Sequence, residues 1–204
     1  MATNILLVRH GQTNSNVKEF YMGWSKEDLN ETGYSQVRRL AARLAKQAVN
    51  AIYTSPLQRA LTTADIIAEP HKLTPVTDRD LIEINLGDWE GLHVSDIKQK
   101  WAELFAKWRS DPSDVAMPGG ESMAQLTERA AAVLNRIVTD NPDRTVILVT
   151  HEIIIKVIIP RILGCSNTIY RHFRIDNASL SVITEKDGVC RLQTLNDTAH
   201  LNGI

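Results

Sequence analysis

Two short aliphatic runs, Ile5-Leu6-Leu7-Val8 and Val146-Ile147-Leu148-Val149-Thr150, each lead to a histidine: His10, preceded by Arg9, and His151. Runs this short, continuous and rich in β-branched residues read as strands buried on both faces. A chain built on them is α/β. In open α/β sheets, ligands bind beyond the carboxyl ends of the strands. Two histidines at that end of two core strands therefore point to one shared polar pocket. The first also opens a loop, Gly11-Gln12-Thr13-Asn14-Ser15-Asn16. Two imidazoles beside a guanidinium suit a phosphoryl group.

Composition narrows the partners. The chain has 204 residues, 43% of them hydrophobic, enough for one well-formed core, so a single domain over 1–204 is expected. With 23 basic against 24 acidic residues it lacks the basic excess of a nucleic-acid binder, and positive potential must be local to a site. Cys165 and Cys190 have no paired spacing and read as free thiols of a reducing cytosol. The N-terminal apolar run is too short for an export signal. The most apolar stretch, 153–163, is interrupted by Lys156, Pro160 and Arg161, so it reads as a buried helix and not a membrane span. The expectation is a soluble, cytoplasmic protein.

Along the chain, strands are expected at 4–8, 51–54 and near Val76, with an extended segment at Leu81-Ile82. Two more at 178–185 and 189–195, joined at Lys186-Asp187-Gly188, have hairpin character and make the sheet mixed. Helices are expected from Thr32 through Gln47, from Ser55-Pro56 to about Glu69, from Ser122 to about Thr139, and after His151. Pro160 should kink the last of these. Between Gly91 and Glu121, Trp101, Leu104, Phe105 and Trp108 fall at helical spacing, reading as a helical insertion over the top of the sheet.

Convergence strengthens the pocket. Ser55-Pro56-Leu57-Gln58-Arg59-Ala60 puts Arg59 in a first helical turn, where unpaired N–H groups already favour an anion, on the same sheet edge as His10 and His151. Hydrolysis of a phosphoester also needs a proton for the departing oxygen. The stretch 81–91 offers Glu83, Asn85, Asp88 and Glu90, and spacing alone does not choose among them.

The segments Leu7-Val8-Arg9-His10-Gly11-Gln12-Thr13 with Asn16, Gly23-Trp24 with Asp28-Leu29, Thr32-Gly33, Ser55-Pro56-Leu57-Gln58-Arg59-Ala60 with Thr63-Ala64, Glu83 with Gly87-Asp88-Trp89-Glu90-Gly91, Pro118-Gly119-Gly120-Glu121-Ser122 and Val149-Thr150-His151 together resemble the histidine phosphatase superfamily, in its phosphoglycerate mutase-like branch. The resemblance implies a three-layer α/β sandwich, a mostly parallel mixed sheet flanked by helices, with the insertion at roughly 91–121 over the active site. It implies that His10 is a nucleophile forming a phosphohistidine. Arg9, Arg59 and His151 would hold the phosphate oxygens with Asn16 assisting, and Glu83 would donate and accept the proton. Gly11 and Trp24 fall with the substrate-binding set. Met22, Trp24, Trp108, Met117 and Met123 could line an apolar-sided pocket, although helix-spaced aromatics more often pack as core.

No cofactor and no metal are expected, because the arginines supply the positive charge and no acidic or histidine cluster has ligand spacing. The expected partner is a small phosphorylated metabolite, with neither nucleic acid nor membrane, and a homodimer is left open. The favoured activity is a phosphatase; a phosphoglycerate mutase and a non-catalytic phosphate-binding scaffold are the alternatives. Mutases of this branch resemble longer chains with extra basic segments, whereas the insertion here is short and of mixed charge. One departure stands out. Many relatives carry glycine after the second histidine, where this chain has Glu152.

Overall fold

The computed structural model describes residues 2–203. In chain order its principal elements are β1 (Thr3–Arg9), α1 (Asn14–Val17), α2 (Glu31–Leu44), β2 (Ala51–Thr54), α3 (Gln58–Ala68), β3 (Val76–Thr77), α4 (Val94–Lys100), α5 (Ala102–Ser110), α6 (Met123–Asp140), β4 (Thr145–Thr150), α7 (Glu152–Ile162), β5 (Leu180–Lys186) and β6 (Val189–Asp197). One sheet runs β3-β2-β4-β1-β5-β6. The first four in that order are parallel, and β5 and β6 add an antiparallel hairpin at the β1 edge.

Alternation along the strands sorts the core into two layers. Ile5, Leu7, Val146 and Leu148 face α6, α7 and the residues of the α4–α5 region. Leu6, Val8, Ile147 and Val149 face α2 and α3. This is the three-layer sandwich. Within the first of these core layers Trp89 packs against Trp101, Phe105 and Trp108 with ring centroids 6.0–6.3 Å apart, anchoring α5.

Several boundaries differ from the sequence expectation, each for a local reason. The cap of α2 is Asn30, not Thr32: its side chain accepts the Gly33 N–H at 2.8 Å, and the helix ends at Leu44, short of Gln47. Helix α3 begins at Gln58, because the Ser55 hydroxyl accepts the Leu57 N–H and holds Ser55-Pro56 in a turn. Leu81 is not extended. Residues Arg79–Leu81 form a 3₁₀ turn capped by the Asp78 carboxylate, and the third strand stops at Thr77. Helix α7 continues through Pro160 to Ile162. The hairpin turn is as expected, with Asp187 and Gly188 both at positive φ.

Candidate active site

The register of the two central strands builds the site. Arg9 pairs with Thr150 across β1 and β4, so His10 and His151 leave the sheet side by side. The His10 N–H still donates to the Thr150 carbonyl at 3.0 Å. The two rings lie 5.1 Å apart, centroid to centroid, and both are buried. The His10 Nδ1 is 2.7 Å from the Gly11 carbonyl, which can only accept, so Nδ1 carries the proton and Nε2 holds the lone pair. Arg59 Nε donates to that Nε2 at 3.2 Å. Burial, then Arg59, then Arg9 hold the His10 pKa well below the usual imidazole range, and the ring is neutral near pH 7.

His151 is oriented by a residue the sequence had suggested only as a helix opener. Its Nε2 lies 2.7 Å from the Ser55 hydroxyl. Among the described residues the Ser55 hydroxyl hydrogen has no other acceptor, so it goes to His151 Nε2 and leaves the ring proton on Nδ1. Among the described residues this buried Nδ1 has no hydrogen-bond partner, and neither does the buried Nε of Arg9. Burial and the same arginines, with His10, also lower the His151 pKa well below its usual value.

Arg59 projects from the first turn of α3 and is buried. Its two terminal nitrogens donate to the carbonyls of Met22, Gly23 and Ser25 at 2.8–3.1 Å, which ties the 22–25 loop to His10. Thr63, one turn on, accepts the Gly11 N–H and donates to the Arg59 carbonyl. Substituting Arg59 by alanine should weaken transition-state binding by about 2.7–4 kcal/mol, on the scale of losing one preorganised donor. Orthophosphate and vanadate affinity should fall with it in a calorimetric titration. Unchanged affinity for both would place Arg59 outside the phosphate site.

Glu83 is buried, and both its carboxylate oxygens are fixed by main chain: Oε1 by the Ile84 N–H at 2.9 Å and Oε2 by the Ile153 N–H at 3.1 Å. Burial raises its pKa against the opposing pull of those two N–H groups and of Arg59, which favours the protonated form a general acid needs. Arg129 braces the segment beneath. Its Nη1 donates to the carbonyls of Asp80 and Ile82 at 2.7 and 2.8 Å, while Nε and Nη2 pair with Glu121. The Gly120 position shows how closely these loops meet: a Cβ there would lie 2.3 Å from the Asn85 carbonyl oxygen.

These groups line a cavity of about 250 Å³ bounded by Arg9, His10, Asn16, Arg59 and Glu83, with Tyr21, Met22, Trp108, Arg109, Glu152, Lys156 and Tyr170 as further walls. Asn16 sits on its wall with Oδ1 accepting from Thr13 N–H and Asn177 Nδ2. Three residues expected in the substrate-binding set are not on that lining; His151 is one, fully buried with its ring 5.1 Å from that of His10. Trp24 is outside the cavity lining, 41% exposed, and its indole N–H donates to the Glu83 carbonyl at 2.8 Å. Gly11 is a packing residue: a Cβ there would meet Val37 at 2.7 Å and the Gly33 carbonyl at 2.8 Å, and its polar atoms serve Thr63 and His10. Met117 and Met123 are core. Glu152 turns to cations, with Oε2 3.1 Å from Arg9 Nη1 and Oε1 2.8 Å from Lys156 Nζ. Burial would raise its pKa, but Arg9 and Lys156 outweigh it and the net shift is downward, so it is ionised. Among the described residues no group of three or more His, Cys, Asp or Glu is placed to hold a metal ion.

Ser55, Thr63, Arg129 and Asn177 are the supporting residues that sequence reasoning missed. Thr63 had a signal, lying four residues after Arg59 on the same helix face. Asn177, whose Nδ2 donates to the His10 carbonyl, had none.

Comparison with known proteins gives the family. The family model of the histidine phosphatase superfamily (branch 1) matches residues 5–198. The chain is 34% identical over 197 residues to phosphoserine phosphatase 1 of Hydrogenobacter thermophilus, covering 97% of this chain and 93% of that one. It is 33% identical over 205 residues to a metal-independent phosphoserine phosphatase of Arabidopsis thaliana, covering 99% and 84%. The solved structure of YhfR from Bacillus stearothermophilus superposes with a TM-score of 0.95 at 30% identity, covering 98% of this chain and all 100% of that one. The chain belongs to the histidine phosphatase superfamily, branch 1. Both curated relatives carry the names of phosphoserine phosphatases.

Proposed function

We propose that the chain cleaves phosphomonoesters through a phosphohistidine at His10 Nε2, without a metal, and that its substrate is a small phosphorylated metabolite with an alcohol leaving group. The observation that carries the reading is the juxtaposition of a neutral, buried Nε2 lone pair and the Arg59 N–H at 3.2 Å, in one cavity with a buried, proton-favouring Glu83. As substrate enters, the Arg59 N–H passes from His10 to a phosphoryl oxygen, joined by the free donors Arg9 Nε and His151 Nδ1. The Nε2 lone pair forms the N–P bond as the ester P–O bond breaks, and the departing oxygen takes the Glu83 proton. Water then gives a proton to the Glu83 carboxylate and its oxygen attacks phosphorus. The N–P bond breaks, releasing phosphate and restoring neutral His10. Fixed donors meet the charge on the phosphoryl oxygens throughout, as transfer of this group requires.

The names of two relatives make phosphoserine the first substrate to try. We place the activity in the cytoplasm: no helix among the described residues is long and apolar enough to cross a membrane, and both cysteines are free. Phosphate release from a panel of phosphoesters in excess chelator tests the reading, run beside a 3- to 2-phosphoglycerate interconversion assay. Release should persist in chelator. Loss of activity restored by a divalent cation, or interconversion outrunning hydrolysis, would overturn it.

A further inference from the structure

Glu152 occupies a particular place in the cavity wall. Ile153, the next residue, gives its N–H to Glu83 Oε2, so the first turn of α7 lies beside the Glu83 carboxyl. That turn is where Glu152 sits, its two oxygens bridging Arg9 at 3.1 Å and Lys156 at 2.8 Å. Lys156 is buried under the ring of Tyr170, 4.7 Å from its centroid, with Glu152 as its carboxylate partner. Arg109 lies on the same wall. The cavity thus holds a cationic pair able to seat a second anionic group, and the chain fills that seat with its own carboxylate.

We propose that Glu152 is a specificity-determining residue that closes a second-anion subsite formed by Arg9 and Lys156, restricting the enzyme to phosphoesters whose leaving group carries no net negative charge. A carboxylate or second phosphate on the leaving group would meet Glu152 at contact distance in a partly desolvated site, where like charges repel strongly. A neutral alcohol, or one whose carboxylate is balanced by an ammonium, would not. The inference rests on the phosphoryl-site reading above and sharpens its substrate class.

The test is calorimetric binding of three unreactive probes to the full chain: orthophosphate, phosphonoacetate, which adds a carboxylate, and 2-aminoethylphosphonate, which adds an ammonium. The wild type should bind phosphonoacetate the weakest relative to orthophosphate. Glu152→Gln should raise that relative affinity roughly tenfold, as expected from removing one close like charge. Adding Lys156→Gln should abolish the gain. Lys156→Gln alone, which leaves the carboxylate and removes the cation, should move the ratio the other way and gives a reading even if Glu152→Gln folds poorly. A ratio in either single variant within twofold of the wild type would overturn the subsite. No orthophosphate binding to the wild type would overturn the phosphoryl-site reading itself, and this inference with it.

Discussion

Alanine in place of His10 is expected to abolish both turnover and the covalent phosphoenzyme, lowering kcat by roughly 10³-fold or more, as loss of a nucleophile does. The position leaves no substitute. His151, the nearest imidazole, has its Nε2 engaged by Ser55 and lies 5.1 Å away between ring centroids. The arginines are always protonated and cannot attack. Wild-type enzyme quenched after mixing with a ³²P-labelled ester should hold label that survives alkali and is lost in acid, the signature of a phosphorus–nitrogen bond. The variant should hold none. Its affinity for orthophosphate should survive in part, because Arg59, Arg9 and His151 remain. Full activity in His10→Ala would end the assignment.

Glu83→Gln should divide substrates by leaving group. An alkyl alcohol needs a proton as it departs, so phosphoenzyme formation from alkyl phosphates should slow by about 10²–10⁴-fold. Nitrophenolate leaves unprotonated, and the same step with p-nitrophenyl phosphate should change far less. The geometry adds a cost common to both. Glutamine has one acceptor oxygen where glutamate offers two, so either the Ile84 or the Ile153 N–H loses its partner. The informative quantity is therefore the ratio of losses on the two substrate classes, measured by rapid quench. Equal losses would mean that Glu83 only positions or charges the site. Glu90 would then be a poor replacement, because it is not on the cavity lining and its carboxylate instead holds the loop N–H groups of Trp24 and Ser25.

What could be read from the sequence follows from which interactions are local. The central strands were legible because strands buried on both faces spell continuous aliphatic runs, and a histidine just past each run inherits its place from the strand. Arg59 was legible for the same reason, one turn into a helix that follows a strand. Glu83 was not separable from Asp88 and Glu90 by pattern, because its segment is an irregular loop whose path is set by Arg129, some 46 residues on. Trp24 was placed on the cavity wall, which it does not line, because an exposed loop aromatic carries no period and nothing local shows that its N–H braces the Glu83 carbonyl. Lys156 looked like a break in an apolar stretch. Its partner four residues back makes it a buried ion pair instead, a helical spacing that was available but masked by the surrounding isoleucines.

On the 80–83 segment the brace grips main chain: Arg129 takes the carbonyls of Asp80 and Ile82, and Trp24 that of Glu83 itself. The path of the loop is thus insured against a change of side chain at position 83. A chain with that one group exchanged would keep its doorway and its phosphate cradle but stall before bond breaking. Immobilised and washed with a crude metabolite extract, such a stalled chain becomes a lure for its own physiological ester, to be eluted intact and weighed by mass spectrometry.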